Sequence, residues 1–245
     1  MNNLITLGLY TGKTTPDAFA PNLLLMAENL IYRGQWGGFL WESSCRVDSN
    51  RNVLIENFLN HTRSDNLLIV DNDVSHPVDA PYMLAARNLP IVSGLYFSRR
   101  NGDYQPVLFR SKGTEKYSRA GYGSVIGENF ESLAPEVADF FNKYGWPISN
   151  APVSIRNEDN TLLEDSLLSI DAGGFGCLML SREMLQSMDP PYLLDSISNN
   201  GDLNFYRKVK KSGFPIFADL SVICSHMGTE EIGANGFKIF AGGNM

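Results

Sequence analysis

Two carboxylates one residue apart follow four apolar side chains in Leu67-Leu68-Ile69-Val70-Asp71-Asn72-Asp73. The apolar run reads as a buried strand. Side chains alternate along extended backbone, so Asp71 and Asp73 are expected to point the same way. In an open α/β sheet, ligands bind beyond the carboxyl ends of the strands. Two acids placed there suit a hard divalent cation, which in turn holds a diphosphate. The alternative is a pair of surface acids that open a turn. A calcium loop does not fit, because its glycine and glutamate positions hold His76 and Tyr82.

Three further groups add to this pair. His226 follows Val222-Ile223-Cys224-Ser225 and either makes a structural hydrogen bond or gives a nitrogen to the same cation, a donor set that suits Mn2+ better than Ca2+. His61, at a helix end, and His76, beside Pro77 in a turn, have weaker cases. Asp202, in Gly201-Asp202-Leu203-Asn204-Phe205, lies in the first turn of a helix. It is either a helix-capping acid or a general base for an acceptor hydroxyl. Asp171-Ala172-Gly173-Gly174-Phe175-Gly176 lets backbone approach a ligand or simply turns, and Asp171 could accept hydrogen bonds from sugar hydroxyls. A competing nucleotide motif, Gly8 to Gly12-Lys13-Thr14, has three residues between its glycines where a phosphate-binding P-loop requires four. With Leu67 to Asp71 as a Walker B strand, it keeps a P-loop-like nucleotide triphosphatase as an alternative.

The elements that must position these residues alternate. Leu4 to Tyr10 reads as a strand, Thr15-Pro16 as a helix start, and Phe19, Leu23, Met26, Ala27 and Leu30 as one helix face closed by Gly34. A strand around Phe39-Leu40-Trp41, a helix over 50–60, the acidic strand, a helix from Asp79 to Arg87 and a strand over 90–97 follow. This pattern implies an α/β fold with a mostly parallel sheet flanked by helices. Residues 98–165 read as an irregular insertion with one helix at 135–144, and residues 98–130, with Tyr104, Tyr117 and Tyr122 among basic residues, as a lid or acceptor site. Cys177 to Leu180 is a strand running into a helix at Ser181, Gly201 to Lys211 a helix, and Ile216-Phe217-Ala218 and Val222-Ile223-Cys224 two short strands. A single domain over residues 1–245 is expected.

Composition narrows the class. A chain of 245 residues, 43% hydrophobic and 19% charged, is expected to pack one core. The net charge of −7 argues against an unspecific grip on nucleic acid, although Arg99, Arg100, Arg110, Lys112, Lys116 and Arg119 could form a local basic face. No apolar stretch approaches bilayer length, and Met1-Asn2-Asn3 lacks a basic leader. Cys45, Cys177 and Cys224 lie far apart without a CxxC pair, so neither a zinc knuckle nor a disulfide framework is indicated. A cytoplasmic, reduced protein is the expectation.

Taken in order, these segments resemble the GT-A glycosyltransferases, especially the soluble family-2-like group of bacteria and phages. The first strand and its end, Leu7-Gly8-Leu9-Tyr10-Thr11, correspond to a wall of the nucleotide pocket. Arg51-Asn52 stands where the family carries an Arg-Asn pair, and Asp71-Asn72-Asp73 matches its DXD metal motif. Ile91 to Tyr96 looks like the next strand, Asp171 to Leu180 like the acceptor-side Asp-Ala-x-Gly-x-Gly segment, and His226-Met227-Gly228 like the late His-x-Gly. The family's Glu-Asp pair is Gly201-Asp202 here, and a following acid is Asn204.

The resemblance implies a GT-A fold and metal-dependent hexosyl transfer from a nucleotide-diphosphate sugar, with a UDP-sugar as the expected donor. Asp71, Asp73 and His226 would hold Mn2+ or Mg2+. Leu9, Tyr10, Thr11, Arg51, Asp71, Asn72, Asp171 and Gly174 would contact the donor, and Asp202 would be the catalytic base if transfer inverts the anomeric centre. The acceptor stays open among a glycan, a lipid-linked sugar, a protein and a modified nucleic acid. The loss of the acid at Gly201 keeps alive a non-catalytic nucleotide-sugar or carbohydrate-binding protein on the same fold.

Overall fold

The computed structural model describes residues 3–11, 19–43, 47–100, 103–119, 123–193, 201–227 and 231–232. The Gly12-Lys13-Thr14 and Thr15-Pro16 segments, Tyr122 and Gly228 lie outside the described residues. The first half of the chain alternates as its apolar periodicity predicts. In order come β1 (Ile5–Thr11), α1 (Phe19–Tyr32), β2 (Trp36–Ser43), α2 (Val47–His61), β3 (Asn66–Asp71), β4 (Val74–Ser75), α3 (Ala80–Ala86) and β5 (Ile91–Leu95). Then follow β6 (Phe97–Arg100), β7 (Asp103–Pro106), β8 (Leu108–Arg119), β9 (Gly123–Ser132), α4 (Ala134–Tyr144), β10 (Val153–Ser154), β11 (Leu167–Ser169), β12 (Ala172–Gly173) and β13 (Cys177–Ser181). The chain continues through α5 (Arg182–Gln186), α6 (Gly201–Lys211), β14 (Phe217–Ile223), β15 (Ser225–Met227) and β16 (Glu231–Ile232).

The central sheet runs β10-β14-β5-β13-β3-β1-β2, with β11 also on β14. β1 is parallel to β2 and β3, and β14 is parallel to β5. β13 is antiparallel to both its neighbours, so it reverses direction inside a mostly parallel sheet. The fold is therefore mixed α/β, with helices on both faces.

β3 shows why. Its apolar residues are buried completely, as expected of a strand covered on both faces. Leu67 and Ile69 join a core that includes Ile55 and Phe58 of α2, whereas Leu68 and Val70 join a second core with Met26 and Leu30 of α1 and Met83 and Leu84 of α3. Strand alternation thus assigns each helix its face.

Two sequence expectations are corrected here. Residues 98–165 are only partly irregular: strands β6 to β9 occupy their first half, followed by α4 and the short β10. β8 and β9 pair with each other as a local hairpin whose backbone ladder does not depend on a regular apolar alternation. The two short strands over 216–224 are one, β14, because Asp219 at its middle is fully buried and satisfied rather than a break. Arg87 donates to it at 2.7 Å, and the Ser166 and Ser221 hydroxyls donate at 2.8 and 2.5 Å. Gly8 lies inside β1, opposite Leu40 and Ile69, and not in a loop. A P-loop glycine cannot sit there, because its backbone N–H groups must wrap a phosphate.

Among the described residues no helix is long and apolar enough to cross a membrane. Because Leu68 sits at the centre of the sheet, Leu68→Ala is expected to cost about 2–5 kcal/mol. Urea unfolding should show a lower midpoint with an unchanged slope.

Candidate functional site

Asp71 is the last residue of β3, and Asn72-Asp73 make the turn into β4. The strand ends before the second acid, so alternation does not carry through. Asp71 keeps the direction of Ile69, toward α2, while Asp73 turns toward β15. The expectation that the two carboxylates share a direction is therefore corrected: the turn sends them to different partners.

On the α2 side, Arg51 is 4% exposed and its Nη2 donates to both oxygens of Asp71 at 3.1 Å. Its Nη1 donates to Asp202 Oδ1 at 2.5 Å. The guanidinium also stacks over the Phe175 ring, 4.3 Å from its centre. Burial, the largest influence, pulls the Arg51 pKa down, but Asp71 and then Asp202 more than offset it, so the group is held above its ordinary value. One buried cation thus ties α2, β3, α6 and the glycine-rich segment together.

On the other side, His226 Nε2 lies 3.2 Å from Asp73 Oδ2, and the Met227 N–H donates to the Asp73 carbonyl at 2.6 Å. β4 pairs with β15 to bring these segments together. The hydrogen bond to Asp73 raises the His226 pKa, against a smaller downward pull from burial. Both side chains keep part of their surface, 29% for His226 and 48% for Asp73. A carboxylate oxygen and an imidazole nitrogen at this spacing fit a manganese- or magnesium-class cation, with nitrogen favouring Mn2+. Asp71 is less available, since both its oxygens accept from Arg51.

Leu9 is buried in β1, and Tyr10 and Thr11 end that strand, with Tyr10 in register with Asp71. Asn72 is buried in the turn between the acids. Gly174 stands between β12 and β13, where an added Cβ would fall 1.6 Å from the Tyr96 hydroxyl. Asp171 accepts from Lys210 Nζ at 2.6 Å and from the Ser111 N–H at 2.7 Å. Burial alone would raise its pKa, but these two partners hold it below the ordinary range. The structure therefore joins Asp71, Arg51 and Asp202 in one group and Asp73 and His226 in another, and gives Asp171 a separate set of partners.

Sequence reasoning missed three aromatic residues. Tyr96 accepts from the Gly176 N–H at 3.4 Å and meets the His226 ring edge-on, centres 6.1 Å apart. Burial, then Asp71 and Asp202, push its hydroxyl well above the ordinary tyrosine value, so it stays a neutral phenol. Tyr206 donates to the Gly174 carbonyl at 3.2 Å, and Phe175 carries Arg51. Tyr206 stands four residues after Asp202 on α6, a spacing that places both on one helix face and was readable.

No protein-family model and no curated protein sequence matches the chain. Among solved structures, A197 from STIV is similar over 95% of both chains at 17% identity, with a TM-score of 0.55. The crystal structure of GalNAc-T7 with UDP, GalNAc and Mn2+ is similar at 9% identity and a TM-score of 0.51. That match covers 92% of this chain and 43% of GalNAc-T7, so the chain spans less than half of that protein's length. Both likenesses show the fold, a Rossmann-like sheet of GT-A type.

Two outcomes follow. Arg51→Met removes the cation between two acids and is expected to destabilise the protein by about 3–5 kcal/mol, read from denaturant unfolding. His226 is expected to titrate above an ordinary histidine in NMR, and Asp73→Asn to bring it down. Because the folded value lies above the unfolded one, the His226–Asp73 pair stabilises fully below the unfolded pKa and fades as pH rises through the folded one.

Proposed function

We propose that the chain is a metal-dependent glycosyltransferase acting on a nucleotide-diphosphate sugar, with a UDP-sugar as donor. The observation that carries this reading is the Asp73–His226 pair, 3.2 Å apart from positions 153 residues distant in sequence, at the carboxyl end of β3. The likeness to a GT-A structure holding UDP, GalNAc and Mn2+ supports the donor class through the fold.

In this reading Asp73 and His226 would hold Mn2+ or Mg2+, with Asp71 contributing less while Arg51 keeps its oxygens. The ion, when bound, would stabilise negative charge growing on the leaving nucleotide diphosphate. Tyr10 and Thr11, at the end of β1, would contact the base, and Leu9 and Asn72 would complete the donor wall. Gly174 packs against the Tyr96 hydroxyl, so in this reading it shapes the donor wall and does not open space for the sugar. Arg51 acts by position: it holds Asp71 and Asp202 in one frame and is too enclosed to reach far toward a ligand. Asp171 is committed to Lys210 and the β8 backbone, so a sugar contact requires it to exchange one of those partners. Asp202 takes the acceptor's proton in an inverting transfer. The β8–β9 hairpin, which pairs with β12 next to Asp171, forms the acceptor side.

A second reading rests on one contact. Asp202 Oδ1 already accepts from Arg51, and Gly201 supplies no second acid. A non-catalytic nucleotide-sugar-binding protein would show the same binding with no turnover.

Calorimetric titration of UDP, then GDP, with and without Mn2+, separates these cases. Metal-dependent binding of one nucleotide that is lost in Asp73→Asn is the expected outcome; binding of neither under any metal condition would overturn the proposal. Asp202→Asn is expected to keep that binding while slowing donor turnover about 10²- to 10⁴-fold. Absence of turnover in the wild type, with binding intact, would select the second reading.

A further inference from the structure

Beneath the Asp73–His226 pair lies a cluster that the nucleotide reading does not use. His76, Cys177 and Cys224 are each fully buried, and one ligand atom from each lies within 4.8 Å of the others. Both cysteines are free thiols. Four strands bring the cluster together from positions that no sequence spacing links. His76 follows β4, Cys177 opens β13, and Cys224 joins β14 to β15.

The histidine is oriented as a ligand would be. Asn22 of α1 clamps its backbone on both sides, accepting from the His76 N–H at 2.9 Å and donating to its carbonyl at 2.7 Å. The ring Nε2 lies 2.7 Å from the Gly176 carbonyl, which makes Nε2 the protonated nitrogen and leaves the lone pair on Nδ1. That Nδ1 is buried and makes no oriented hydrogen bond, and after burial the Cys177 sulfur is the group that acts most strongly on the ring. A buried acceptor without a well-placed donor is costly. An imidazole whose other N–H is fixed by a backbone carbonyl is the usual arrangement of a metal-binding histidine. Gly94 makes room for the sulfur, since a Cβ there would stand 2.9 Å from Cys177 Sγ.

We infer that His76, Cys177 and Cys224 form a buried Zn2+ site, distinct from the Asp73–His226 pair above it. Two thiolates and a neutral imidazole match the softness of the ion, and their charge cancels that of Zn2+, which a dry interior requires. Ligand atoms around tetrahedral zinc are about 3.7 Å apart, so the present spacing has to close by roughly 1 Å at most. Three protein ligands leave the fourth tetrahedral position to a non-protein group. Ligation deprotonates both thiols and releases two protons; no electron is transferred. The ion would staple the chain three residues after Asp73 to the chain two residues before His226. It would therefore set the spacing of the upper pair without touching a substrate.

Because the ligands are enclosed, metal has to enter as the protein folds. The test is the full chain produced in zinc-depleted medium supplemented with Co2+, alongside an ordinary preparation. The expected result is one equivalent of zinc in the ordinary protein and, in the cobalt protein, near-ultraviolet thiolate-to-cobalt charge transfer with tetrahedral visible bands. Cys177→Ser and Cys224→Ser should each lose the charge transfer, while Asp73→Asn retains it, which separates this site from the one above. If the serine variants do not fold, the wild type decides alone. Zinc-free protein whose reduced cobalt form lacks charge transfer, or alkylation and mass analysis showing a Cys177–Cys224 disulfide in freshly purified protein, would overturn the inference. Nucleotide titration is independent of either result.

Discussion

A guanidinium taken almost wholly out of water, with a carboxylate on each side and an aromatic ring against its face, is the constraint around which the site is arranged. Arg51 cannot shed its proton to escape burial, so its neighbours must supply the charge and hydrogen bonds that water no longer provides. Asp71 and Asp202 do so from β3 and α6. The result is a frame: the end of the central strand, the helix beside it and the glycine-rich turn cannot shift independently without exposing an unbalanced charge in the interior. The two acids that a sequence reader would give to one cation are therefore divided. Arg51 claims the first, and the second is left for His226.

The aromatic residues complete that division. Tyr96 stands between the halves, its hydroxyl against the backbone of Gly176 and its ring against His226. Gly174 and Gly176 are required by this contact, since a side chain at either would collide with Tyr96 or, at Gly176, with Val74. The glycines the sequence offered as room for a ligand are, on this face, room for a tyrosine. Close packing of backbone on a phenol explains why the segment between β12 and β13 holds its shape.

Much of the scaffold was legible because it follows from local physics. The apolar run of β3, the helical spacing of Phe19, Met26 and Leu30, and the Ser181 cap that accepts from the Met184 N–H are written in short windows. The meeting of Asp73 with His226 agrees with the order of motifs, although no window contains both. What failed were features decided by tertiary partners. Asp219 looks like a break in an apolar run until Arg87 and two serines surround it. Ser111-Lys112-Gly113-Thr114-Glu115-Lys116 has no apolar alternation, yet it forms a strand because its hairpin partner lies adjacent in sequence. His76, dismissed as a turn residue, and two cysteines 47 residues apart become neighbours only through the strand order. Spacing rules for metal ligands describe one loop or one helix and cannot see four strands converge.

That strand order also governs how the chain is made. β3 and β5 are not neighbours; β13 lies between them and belongs to residues 177–181. While the first hundred residues leave the ribosome, β2, β1 and β3 can form a half-sheet, but β3 keeps one edge of unpaired backbone groups along a fully buried apolar run. An open edge of that kind invites pairing with any other extended chain. It closes only when a segment about a hundred residues downstream arrives and runs back in the opposite direction. Long-range closure of this sort slows folding and lengthens the time for which aggregation competes. The reversed strand that completes the sheet thus leaves an open edge on the newborn chain until its second half is synthesised.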